Sequence, residues 1–109
     1  MRPVLHADVV AAARALYGLS GCDRVAMLQR WILSAELADR FRQRAGRSHA
    51  AFGDGSLELA VMGQRKPPEP LLSDADYCDC LVMVLEALIA QNALTAGAGH
   101  AADDGRVEV

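Results

Sequence analysis

Four of the six residues from 11 to 16, AAARAL, are alanine, and the whole chain of 109 residues holds 20 alanines against only five aromatic residues. Alanine is the strongest helix former and a poor strand former. No segment carries the alternating β-branched pattern of a half-buried strand. Much of the burial must therefore come from helices in close contact. The length suits one domain that buries a single core without disulfide or metal staples.

Helical periodicity with start and stop signals divides the chain into four segments. Residues 8–17, DVVAAARALY, place Val9, Ala13, Leu16 and Tyr17 on one face and end at Gly18, with either His6 or Asp8 as the cap. A second helix begins near Cys22 or Asp23 and runs to Ala45, with Gly46 in the left-handed stop position. Its core face is Val25, Leu28, Trp31, Ile32, Ala35 and Ala38. A short helix over 56–62 is capped by Ser56 and closed by Gly63. After it, KPPEP sets three prolines within four residues and so makes a stiff extended connector.

The last helix starts at Ser73, with Asp76 as the partner of a capping-box-like pair, and is expected to end near Leu94. An arc of roughly 160° collects Tyr77, Cys78, Leu81, Val82, Val84, Leu85, Leu88 and Ile89, which leaves Asp76, Asp79, Met83, Glu86 and Ala90 outside. The reading is an all-α, four-helix bundle-like domain over 1–96, with two long helices packed on each other, two shorter ones covering the ends, and a flexible tail over 97–109.

Charge and cysteine usage narrow the function classes. Residues 1–66 carry ten basic and six acidic side chains, whereas 67–109 carry one basic and eight acidic. With a pI near 5.5 the chain lacks the basic footprint of a nucleic-acid binder. YGLSG joins two helices as in a helix-turn-helix, but Arg14 stands where that motif's alanine belongs. Three cysteines and the absence of an apolar leader point to a reduced, cytoplasmic protein. The run CLVMVLEALIA, 11 residues with Glu86 inside it, is short of the roughly 20 that span a bilayer. No membrane partner is expected.

No catalytic constellation is legible. His6, His49 and His100 lie in separate segments, and no HExxH, Cys-His or Ser-His-Asp spacing occurs. Cys78 and Cys80 are two apart on a helix, about 200° around its axis, so they cannot share an ion. Cys78 is expected in the core and Cys80 on its flank. No metal or cofactor is expected.

Two surfaces remain. Leu33, Leu37 and Phe41 recur at four-residue spacing away from the core face of the second helix, rimmed by Arg30, Arg40 and Arg44. Apolar strips edged with arginine are typical of protein interfaces, and the partner would be another protein or a second copy. The alternative for this strip is internal cover by the short helix, with Leu57, Val61 and Met62 as the lid. The acidic strip Asp76, Asp79 and Glu86 is a complementary surface. The second candidate is the loop over 40–56, where Arg44, Arg47, His49, Gly53, Gly55 and Ser56 could hold a small anion at a helix N-terminus. Against it, Asp54 stands where the anion would approach, and the glycines also serve a simple turn with Phe52 plugging the loop.

The stretches MRPVLHADVVAAARAL, FGDGSLELA and PPEPLLSDADYCDCLVMVLEAL resemble those of a family of short, uncharacterised bacterial all-helical proteins. That resemblance implies that the glycine loop and proline connector are shared features. It carries no activity, cofactor or catalytic residue.

Overall fold

The computed structural model describes residues 1–47 and 53–103. It is all-α, with α1 (His6–Tyr17), α2 (Gly21–Ala45), α3 (Leu57–Ala60) and α4 (Ala75–Asp103). The helix ends follow from local chemistry. Leu5 occupies the cap of α1, and neither His6 nor Asp8 does. His6 begins the helix, while Asp8, three residues after the cap, accepts the Leu5 N–H at 2.8 Å. That is the side-chain-to-cap half of a capping box. Gly46 adopts φ 74° after Ala45, the left-handed stop the sequence calls for. Ser56 caps the single turn of α3 by accepting the Leu59 N–H at 3.2 Å, and that turn is shorter than the 56–62 span expected.

At α4 the cap is Asp74 rather than Ser73. Its carboxylate accepts the Tyr77 N–H at 3.2 Å, while Asp76 pairs with Arg24. The helix also continues past both Leu94 and the expected boundary at Gly97, to Asp103. Residues 104–109 lie outside the described residues.

The core is organised around α1, not around a pairing of the two long helices. Ala11, Ala12, Ala13, Ala15 and Leu16 are all buried, and α1 packs most extensively on α4, then on α3 and α2. Small side chains allow this: alanine lets neighbouring backbones approach from several sides of one helix. Leu28, Trp31 and Ile32 of α2, Leu57 and Val61 at α3, and Tyr77, Cys80, Val84 and Leu88 of α4 complete the cluster.

One side chain fixes the joint where α1, α2 and α4 meet. Arg24, buried on α2, donates to the carbonyls of Leu16 at 2.9 Å and Leu19 at 3.2 Å, and grips Asp76 through two bonds of 2.8 and 3.0 Å. It thus adds a charged donor to carbonyls at and just past the end of α1 and ties them to the start of α4. The Arg24 guanidinium holds the Asp76 carboxyl below its ordinary range.

The phase of α4 differs from the sequence expectation. Cys80 is fully buried and Cys78 only half so, reversing the two thiols. Leu85 is 47% exposed and Ile89 67%, with Val82 also open to solvent, whereas Met83 is partly buried against the core. On α2, Val25 likewise faces outward, and its core place is taken by the aliphatic stem and charge of Arg24.

Candidate functional site

α2 and α4 run in the same direction, joined near their starts by Arg24 and Asp76 and again where Gln91 donates to Glu36. Of all packed helix pairs they touch least, and around the Glu36–Gln91 tie they leave a groove of about 670 Å³ whose walls include Leu33, Glu36, Leu37 and Arg40 on α2 and Ala87, Ala90, Gln91 and Leu94 on α4, above Ile32. Glu36 also takes the N-terminal ammonium at 2.6 Å, which lies 3.3 Å from Asp39. Burial alone would raise the Asp39 carboxyl, but the Arg42 guanidinium and this ammonium outweigh it and bring it below the ordinary value.

The structure separates the six residues expected to form one strip. Leu33, Leu37 and Arg40 line the groove, and Leu33 is 58% and Leu37 41% exposed. Phe41 and Arg47 stack with the guanidinium 5.4 Å from the ring centre, Arg44 is exposed, and Arg30 faces the other flank of α2. The short helix does not form the expected lid. Leu57 and Val61 are buried in the core and Met62 points to solvent, so Leu33 and Leu37 stay open. Glu86 and Asp79 are exposed on α4, nearer its start than Ala87, and neither is among the groove's walls. Arg40 and Arg44 edge the groove on the α2 side. Asp76 leaves the acidic strip for Arg24.

A second apolar surface, Val82, Leu85 and Ile89, occupies the opposite flank of α4. Together the two surfaces correct the length inferred from the 11-residue run. Ala75–Leu94, 20 residues at mean hydropathy 1.4, is long and apolar enough to cross a membrane by length and composition, and 22% of its most apolar window is buried.

The glycine loop is filled by the protein's own carboxylates. The Ser56 N–H donates to Asp54 at 2.9 Å, the Glu58 N–H to buried Asp8 at 2.8 Å, and the Leu59 N–H to Ser56. These three backbone donors of the Ser56 turn are therefore taken. Burial would raise the Asp54 carboxyl, but the Ser56 donors and the Arg2 charge hold it lower. Gly53 and Gly55 have φ 87° and 96°, and a Cβ on Gly55 would fall 2.7 Å from Cβ of Asp39. Close approach to α2 explains Gly55 without a ligand. Arg44 and Arg47 do not reach the Ser56 turn through any ion pair among the described residues, and His49 and Phe52 lie outside those residues.

On the α3 side of α2, a smaller cavity of about 230 Å³ is lined by Met27, Arg30, Trp31, Ser34, Leu59, Ala60 and Gln64. Trp31 is 4% exposed, yet its indole N–H finds no acceptor among the described residues. A buried donor left unmet costs about 1–3 kcal/mol. Helical periodicity puts Trp31 on the core face of α2, and nothing in the spacing marks its N–H as unsatisfied. Among the described residues there is no group of three His, Cys, Asp or Glu side chains placed to hold a metal ion.

Fold and surfaces together define a small helical domain with an open groove and no assembled reactive centre among the described residues. It belongs to the domain family of unknown function DUF7742, whose model matches residues 2–88. That span includes the proline connector and the groove's α2 wall, and of the α4 wall it includes Ala87. Comparisons with curated proteins and with solved structures gave no match.

Proposed function

We propose that this chain is an interaction module that works as a two-fold dimer, each copy covering the other's α2/α4 groove. The observation that carries this reading is the groove itself, where Leu33, Leu37 and Leu94 stand open along two helices that barely touch. Contiguous exposed apolar surface of this kind marks sites that another surface covers. A two-fold axis running along the groove sets α2 of one copy over α4 of the other, so one patch serves both partners. The free thiols of Cys22, Cys78 and Cys80 fit a reducing compartment.

A lipid surface fits less well. No Lys or Arg occurs between residues 75 and 94, whereas Asp76, Asp79 and Glu86 do, the reverse of what an anionic membrane attracts. The test is mass in solution by sedimentation. The wild type is expected at twice 11.6 kDa, and Leu37→Glu at the monomer mass with unchanged helical circular dichroism. A wild type that stays monomeric at about 100 µM, or that partitions onto anionic phospholipid vesicles in place of dimerising, overturns the reading.

A further inference from the structure

We infer that the outer flank of α4, the strip Cys78, Val82, Leu85 and Ile89, is a coiled-coil seam for one helix of another protein, whose facing edge carries lysine or arginine. The strip lies on the side of α4 away from α2 and is independent of the groove.

Spacing is the first observation. The four residues stand four, three and four positions apart, the alternation by which one helix offers a seam to another wound beside it. Val82, Leu85 and Ile89 are exposed and Cys78 is half-buried. At about 1.5 Å per residue the seam runs about 17 Å, or roughly three turns. Asn92, also exposed, ends it with a polar side chain. The Cys78 thiol donates to the Leu72 carbonyl at 2.8 Å, which places Leu72, itself exposed, beside the start of the seam. Residue type sets the number of partners: β-branched Val82 and Ile89 at one seam position with Leu85 at the other is the combination that favours two parallel strands.

Charge identifies the partner. One edge of the seam, Leu81 and Leu88, turns into the core of this protein. The other edge carries Asp79 and Glu86, seven residues apart, both exposed and in no ion pair among the described residues. No Lys or Arg occurs between residues 75 and 94. The edge open to a neighbour is therefore acidic at heptad spacing, and the helix that matches it presents basic side chains at the same interval. A second copy of α4 does not match. Set parallel, it would offer leucines to Asp79 and Glu86; set antiparallel, it would offer those same two acids.

The probe is a synthetic three-heptad peptide with Ile and Leu on its seam and Lys on both edges, so that it repels its own kind. The control carries Glu in place of every Lys. By calorimetry the lysine peptide should bind the full chain with a Kd of about 10 µM, and the glutamate peptide at least about tenfold more weakly. Glu86→Lys should weaken the first and strengthen the second. Ile89→Glu, at an exposed position, should abolish binding with helical circular dichroism unchanged, and the milder Ile89→Ala should weaken it about tenfold. Leu37→Glu, in the groove, should bind as the wild type does. The inference is overturned if the lysine peptide does not bind, if both peptides bind alike, or if Leu37→Glu removes binding. It also falls if sedimentation shows Ile89→Glu dissociating a dimer of the wild type, which would give the flank to a second copy, or if the chain adsorbs to phosphatidylcholine vesicles through Ile89.

Discussion

Leu85 and Leu88 are the same residue type, three positions apart on α4, in opposite environments: Leu88 is 6% exposed and Leu85 47%. Truncating each to alanine tests the phase of the helix with chemistry held constant. Leu88→Ala removes a core side chain and leaves a cavity among Ala-rich surroundings that cannot collapse onto it, which costs about 2–5 kcal/mol. Leu85→Ala removes about three buried-equivalent carbons only half withdrawn from water and leaves no cavity, so about 1 kcal/mol is expected. Urea unfolding followed by circular dichroism, at protein concentrations low enough to keep the chain monomeric, reads both as shifts of the midpoint at constant slope. Equal losses at the two positions, or a larger loss at Leu85, would mean that α4 is rotated about its axis, and the description of both its exposed flanks would fall with it.

The thiols offer an orthogonal check. A maleimide should modify exposed Cys22 first and half-buried Cys78 more slowly, with Cys80 protected until unfolding, since burial pushes its thiol upward in pKa; prompt labelling of Cys80 in the native protein would contradict its placement. Tyr77 titrates at about 12, raised by burial and by its bond to Glu69. Because the folded value lies above the ordinary 10, its contribution is complete below pH 10 and is lost as pH rises toward 12; tyrosinate absorbance should show a late-titrating phenol that Tyr77→Phe removes. Gly55→Ala combines a left-handed φ of 96° with a Cβ 2.7 Å from Asp39, and a thermal melt should register a loss of more than about 1 kcal/mol.

The fold class and most helix boundaries were legible because they depend on local chemistry. Gly46 has to stop α2, and Ser56 has to cap α3, whatever those helices pack against. The phase of α4 depends on neighbours. Tyr77 through Ile89 is apolar around so much of its circumference that several rotations bury a similar area, and the alanine face of α1 selected the one with Cys80 and Val84 inward. The sequence does not single out Arg24, because nothing local announces that the end of α1 and the start of α4 converge on it. On the candidate site, Leu33, Leu37 and Arg40 were visible as a stripe. The opposing wall, Ala87, Ala90 and Leu94, was not, since it becomes a wall only where α4 is drawn alongside α2 around the Glu36–Gln91 tie. Trp31 shows the sharpest limit, for an unmet donor is a property of surroundings and leaves no trace in spacing.

The place of α1 has a consequence for how the polypeptide matures as it is made. Its alanine-rich sides gain their principal cover from α4, so the helix synthesised first waits for the one synthesised last. A nascent chain halted before Tyr77 and Val84 have emerged would hold α1 with those sides wet, and folding would then be governed by closure between distant parts of the chain rather than by stepwise docking from the N-terminus.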